Sequence, residues 1–325
     1  MNEGMKKESA QWMDVLGVHT VHDFNEAIAL GRSTEIIQVS EALQEKQLAA
    51  IADEIVAREA RLILIAGPSS SGKTTTSKRL SILLAACGKR AHTLSTDDYF
   101  VNREDTPRDA EGVYDYECIE AEDTTLFNRQ MNELLSGGMV ELPRYDFPTG
   151  KKVYEGKMLH LSPGDVIILE GNHALNPIFS AQVPDEQKYR IYVSPLTPIR
   201  LDENQEVSTS DIRLLRRILR DYSFRGYSAA ETIARRERVD AGERKWIFPF
   251  HSLADVHFDS VLLYEMAVLK DRLLPILAEV AADAPEFDEA RRLMQILQHY
   301  QSIPDKQVPA TSLLREFAGG SIFVY

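Results

Sequence analysis

The stretch Gly67-Pro68-Ser69-Ser70-Ser71-Gly72-Lys73-Thr74 satisfies the pattern G-x-x-x-x-G-K-[ST] at every position, and no other part of the chain restricts the fold so strongly. An apolar run, Arg61-Leu62-Ile63-Leu64-Ile65-Ala66, precedes it and reads as a buried strand. A helical pattern from Lys73 to Cys87, closed by Gly88, follows it. In a strand–loop–helix of this kind the glycines let backbone N–H groups turn inward around an anion, and the helix presents its positive end. Gly67, Ser69, Ser70, Ser71, Gly72, Lys73, Thr74 and Thr75 are therefore expected to hold the phosphates of ATP. The Lys73 ammonium would neutralise the β- and γ-phosphates, and the Thr74 hydroxyl would ligate Mg²⁺.

Further apolar strands fit Ala91 to Ser95, Asp165 to Leu169, Tyr189 to Val193 and Asp255 to Ser260, with helical stretches between them. Near-continuous apolar strands of this kind belong to a parallel sheet covered on both faces. Met139 to Leu161 instead alternates and turns at Phe147-Pro148-Thr149-Gly150-Lys151, as a β-hairpin outside the main sheet would. Residues 1–57 read as helical, with helices over Asp23 to Ala29 and Ser40 to Ala60 docking on the core. Residues 266–325 are helical again, punctuated by Pro275, Pro285 and Pro304 and broken at Gly319-Gly320. The expected class is an α/β P-loop NTPase fold with a substrate-side hairpin. It divides into an N-terminal helical segment (1–57), a P-loop kinase domain (58–265) and a C-terminal helical extension (266–325).

The net charge of −13 speaks against a nucleic-acid partner, whose binding needs a basic surface, so positive charge must be concentrated at the site. Cys87 and Cys118 stand alone, without metal-ligand spacing, and read as buried free thiols. No apolar run is long enough to span a bilayer, and the polar start Met1-Asn2-Glu3-Gly4-Met5-Lys6-Lys7 lacks a signal-peptide core. A cytoplasmic protein without a membrane partner is expected; a homo-oligomer is compatible with the sequence.

Ser95-Thr96-Asp97-Asp98-Tyr99-Phe100 follows the second strand, at the strand end that faces the ligand crevice in such sheets. One acid of the pair could accept the proton of an attacking hydroxyl, and capping of the next turn is an equal alternative. Glu170, which closes Val166-Ile167-Ile168-Leu169, is placed to reach a Mg²⁺ shell. Arg213, Arg216, Arg217 and Arg220 fall at i, i+3, i+4 and i+7, opposite Leu214, Leu215, Ile218 and Leu219, and Arg225-Gly226 follows. Arginine at every position of such a face, in an acidic chain, suits a site that handles phosphate.

Taken together, GPSSSGKTT, STDDYF, VYDYE, PRYDF, VIILEG and RLLRRILRDYSFRG resemble, in order and spacing, the uridine kinase and phosphoribulokinase family of P-loop kinases over roughly residues 60–260. The resemblance implies that Asp97 is the catalytic base, assisted by Lys73 and Arg220, and that Asp97 also lies near the metal with Thr74 and Glu170. It implies that Glu117 takes the place of an aspartate on the ribose hydroxyls, and that Tyr145 contacts the base. Arg217, Arg220 and Arg225 match arginines reaching substrate and phosphates. Two departures matter. Glu117 is one methylene longer than the family's aspartate, and Gly150 stands where uridine kinases place a pyrimidine-reading histidine. His173 could compensate from another strand end, or simply cap the turn after it.

The leading expectation is an ATP:nucleoside 5′-phosphotransferase using Mg²⁺. A kinase of another metabolite alcohol or sugar phosphate is the alternative, with Arg144, Lys151 and Lys152 as cations for an anionic acceptor. A low-turnover nucleotide sensor is the third reading.

Overall fold

A computed structural model describes residues 12–109, 112–196, 199–201 and 206–325; the N-terminal residues read above as polar lie outside these. Five parallel strands form the central sheet: Leu62–Ala66 (β1), Ala91–Ser95 (β2), Val166–Glu170 (β5), Lys188–Ser194 (β6) and Val256–Asp259 (β7). Their order is β2-β5-β1-β6-β7. Met139–Asp146 (β3) and Lys151–His160 (β4) pair antiparallel in a separate two-stranded sheet, the expected hairpin.

The sheet is apolar on both sides. Along β1, Ile63 and Ile65 enter one buried cluster while Leu62, Leu64 and Ala66 enter the other; in β5, Val166 and Ile168 separate from Ile167 and Leu169 in the same way. This period-2 division explains why the strands read as continuous apolar runs. The first cluster also takes Phe24 of helix α1 (Val21–Ala29), Ile36 and Leu48 of α2 (Ser33–Ala57), and Leu80 of α3 (Lys73–Ala86). It reaches Leu293 and Leu313 near the other end of the chain, so both helical flanks share one core with the sheet. The second cluster packs α4 (Thr124–Leu135) and the hairpin on the opposite face.

α3 starts at Gly72, whose φ of +95° suits glycine, and α5 (Thr209–Phe224) starts at Ser208, whose side chain accepts from the Asp211 N–H. Two short helices follow, α6 (Ala229–Ala234) and α7 (Arg236–Trp246). Beyond β7 come α8 (Glu265–Ala278), α9 (Phe287–Gln298) and a single turn, α10 (Arg315–Ala318).

Two expectations need correcting. Pro275 lies inside α8 instead of ending a helix. Its missing N–H leaves the carbonyl of the exposed Asp271 without a helical donor, and burial of Leu273, Ile276 and Leu277 offsets the loss. Cys118 is buried as expected, but Cys87 is exposed. It is the C-cap of α3, where the helix has run past the sheet into solvent, with Asp53 Oδ1 3.7 Å from its Sγ.

Candidate active site

A cleft of ≈ 560 Å³ opens at the carboxyl ends of β1, β2 and β5, bounded by the hairpin and by α5. The loop after β1 forms its floor. Lys73 Nζ donates to Gly67 O (2.8 Å), Pro68 O (3.2 Å) and Asn172 Oδ1 (2.9 Å), which holds the ammonium over the loop. Asn172, two residues past β5, carried no recognisable signal in the sequence. The hydroxyls of Ser70 and Ser71 are buried without a protein partner. Ser70 lines the cleft, and a donor left this way is suited to an anion held by the loop, so in this respect the loop fits a nucleoside triphosphate.

The Thr74 hydroxyl donates to Glu170 Oε1 at 3.2 Å. Burial pushes the Glu170 carboxyl up to about 7, aided by Asp97 and Glu316, while Lys73 opposes the shift. Among the described residues no three His, Cys, Asp or Glu side chains form a metal cage. A hydroxyl beside one carboxylate suits Mg²⁺, which keeps waters and takes phosphate oxygens as its remaining ligands.

The acids after β2 are divided by the structure. Asp98 Oδ1 accepts the backbone N–H of Tyr145 at 3.3 Å and so tethers the hairpin. Asp97 lines the cleft. Its surroundings crowd out enough solvent to raise its pKa, against the pull of Lys73, Arg225 and Arg220. A further acid that sequence reasoning missed, Glu122, is buried nearby and pushed well up by desolvation, with Asp97 and Glu117 adding to the shift.

The arginine face of α5 is split in two. Arg217 and Arg220 line the cleft together with Arg225, and all three gather around the buried carboxylate of Asp221 at 3.4, 3.4 and 3.5 Å. Arg213 and Arg216 turn underneath the loop instead. Arg213 Nη1 donates to Glu243 Oε1 (2.7 Å) and Ser69 O (3.3 Å), and the same carboxylate oxygen accepts the Ser69 N–H (2.9 Å). Arg216, fully buried, donates to Ser70 O, Ser71 O, Ser260 O and Glu265 Oε2. These two arginines hold the loop by its carbonyls.

On the acceptor side, Glu117, Tyr145, Phe100, Phe147 and Arg103 line the cleft. Phe100 meets Tyr145 edge-on with centroids 5.5 Å apart, and the buried Tyr145 hydroxyl has no protein partner. Burial raises the Glu117 pKa, opposed chiefly by Arg217. Gly150 has φ +69°, and a Cβ there would lie 2.7 Å from the Arg103 guanidinium carbon. A side chain at that position would be strained by the positive φ and would have to displace Arg103, which fills the space and donates to Phe147 O at 2.6 Å.

Several expected residues lie elsewhere. His173 does not line the cleft: it is 3% exposed, and burial, against the pull of the Glu117 backbone carbonyl, holds its pKa down at about 4, as a neutral ring. Thr75 is covered by Glu316 and Tyr325. Gly67, Ser71 and Gly72 shape the loop from within it. Arg144 pairs with Glu155 and Lys152 with Asp123, so neither is spare for an anionic acceptor, and Lys151 is exposed outside the cleft.

The model of the phosphoribulokinase / uridine kinase family matches residues 62–267. A uridine kinase of Lactobacillus helveticus is 30% identical over 172 residues, 53% of this chain and 72% of that protein. A uridine kinase of Deinococcus deserti is 28% identical over 196 residues, 60% of this chain and 85% of that protein. Among solved structures, one described as a possible uridine kinase from Bacillus stearothermophilus is 20% identical, covers 66% of this chain and 98% of its own, and has a TM-score of 0.44. No described helix is long and apolar enough to cross a membrane.

Proposed function

We propose, since the chain belongs to the phosphoribulokinase and uridine kinase family, that this P-loop kinase transfers the γ-phosphate of ATP to the 5′-hydroxyl of a nucleoside. The observation that carries the reading is that one cleft joins Lys73, Thr74 and Glu170 to Asp97 and Glu117. A phosphate-binding floor thus faces a proton acceptor and a second carboxylate across a space the size of a small metabolite.

Phosphoryl transfer asks the protein for alignment and for cations around the migrating group. Lys73 is the cation nearest the loop, and Arg217, Arg220 and Arg225 supply three planar donors fixed by Asp221. Thr74 and Glu170 would hold Mg²⁺, which neutralises phosphate charge when bound. Asp97 orients the acceptor hydroxyl and receives its proton. Its raised pKa makes it a better base than an ordinary aspartate, while Lys73 and the arginines favour its ionised form.

Glu117 accepts from the ribose vicinal diol, and Phe100 and Tyr145 flank the base. The guanidinium of Arg103, packed over Gly150, offers donors to carbonyl oxygens on the base edge. The names of the two uridine kinase relatives support a nucleoside acceptor, and Gly150 offers no side chain to read the base edge.

An acceptor screen by phosphate-transfer assay, across nucleosides and sugar phosphates, tests the reading. Transfer to a ribonucleoside is expected. Transfer only to a sugar phosphate or other alcohol moves the protein elsewhere in the same family. Nucleotide binding without acceptor-dependent turnover replaces the kinase with a sensor.

A further inference from the structure

We propose that Glu316 is an internal competitor for the nucleotide's phosphates, seated on Thr75 until a nucleotide displaces it. The inference rests on the phosphotransferase reading for the nature of the ligand.

The first N–H groups of α3 have no intrahelical acceptor and are the donors that such a loop offers to an anion. One of them is already taken. Glu316 Oε2 accepts the Thr75 backbone N–H at 3.1 Å and the Thr75 hydroxyl at 2.6 Å, and the Tyr325 hydroxyl lies 2.9 Å from Thr75 Oγ1. Thr75 is fully buried beneath them. A carboxylate and a phosphate are both anionic oxygen acceptors, and they cannot hold the same N–H together.

Glu243, the other carboxylate on the loop, provides a contrast. It is locked by Arg213 at 2.7 Å and nearly inaccessible, so it belongs to the permanent structure. Glu316 has no cation within ion-pairing distance among the described residues. The positive groups it acts on, Lys73 and Arg220, are ones the phosphates also need. Its hold on Thr75 is therefore exchangeable.

The backbone around Glu316 is fixed. Leu313, Leu314 and Phe317 are fully buried, Leu313 packs on Gly72, and Arg315 donates to the carbonyls of Asp305 (2.9 Å) and Val308 (2.7 Å). Displacement thus asks only for rotation of the Glu316 side chain and retreat of the exposed Tyr325. Glu316, Tyr325 and the segment that carries them lie outside residues 62–267, so this part of the device is an addition to the kinase shared with the family.

The test is direct titration of the full chain with Mg²⁺ and a non-hydrolysable ATP analogue, comparing wild type, Glu316→Ala and Glu316→Gln. Glu316→Ala is expected to bind about tenfold more tightly, because no bond to a charged group has to be broken first. Glu316→Gln, which keeps the shape but not the charge, is expected to fall between the two. Thermal melts without nucleotide verify that each variant is folded. Equal or weaker binding by both variants overturns the proposal, and weaker binding makes Glu316 a nucleotide contact instead. Tighter binding with no transfer to any acceptor supports the competitor while removing the kinase reading. Absence of binding by all three proteins overturns both.

Discussion

The backbone N–H of Tyr145 donates to Asp98 Oδ1 across 3.3 Å, so the hairpin that carries the aromatic wall hangs on the acid next to Asp97. Adjacent carboxylates with opposite orientations have separable roles. Asp97→Asn is expected to leave ATP affinity near wild type and lower kcat by roughly 10²–10⁴-fold, the loss of a general base. Asp98→Ala is expected to raise the acceptor KM with a smaller change in kcat. Steady-state kinetics decide this, and the reverse pattern would exchange the two roles.

Lys73→Ala removes the ammonium anchored at Gly67 O and Asn172 Oδ1. ATP affinity and transfer rate are expected to fall together. Unchanged affinity by calorimetry would sink the loop assignment.

The split arginine face separates stability from turnover. Arg216→Ala strands the buried Glu265 carboxylate and is expected to cost about 3–5 kcal/mol in denaturant unfolding. Arg217→Lys and Arg220→Lys are expected to unfold near the wild-type midpoint yet turn over more slowly, because an ammonium does not reproduce a planar fork. Normal kinetics in both would leave them as structural partners of Asp221.

Ribose recognition by Glu117 predicts slow reaction of 2′-deoxynucleosides, by the ~1.5–3 kcal/mol of a hydrogen bond to a charged group. Arg103→Ala is expected to flatten the preference among bases while keeping the ribose preference. Equal kcat/KM for ribo and deoxy forms would remove the clamp.

The His173 ring gives a pH dependence of known sign. Its pKa is about 4 in the folded protein against an ordinary 6.5, so between those values the unfolded chain binds the proton. The contribution is complete above pH 6.5 and lost as pH falls toward 4. Glu170 has the opposite sign, since its pKa is raised to about 7 and the folded state holds the extra proton. Unfolding free energies of wild type minus His173→Gln isolate the histidine. A difference that does not vary from pH 7 to pH 4 contradicts the buried neutral ring.

Local pattern made most of the fold readable. The loop motif, the apolar strands and the alternating hairpin each depend on neighbours a few residues away. The ends of β5 and of α3 follow from the same local signals. What escaped the sequence is tertiary. Arg213 and Arg216 share one face with Arg217 and Arg220 in any helical projection, and only the position of the loop beneath α5 separates them. Gly150 is blocked by Arg103, a residue 47 positions away with no motif of its own. His173 has the same neighbours in sequence whether it faces the cleft or the interior.

The contact of Leu313 with Gly72 also constrains the order in which the molecule can be completed. Thr75 and Glu316 are 241 residues apart, so the phosphate loop leaves the ribosome long before the segment that packs on it. At roughly 5–20 residues per second, many seconds separate the synthesis of the two. During that interval the nascent loop has neither Leu313 behind Gly72 nor Glu316 on Thr75, and the Thr75 N–H is open to an anion. A nucleotide present then meets an uncontested loop, so the newborn chain and the finished enzyme should differ in nucleotide affinity.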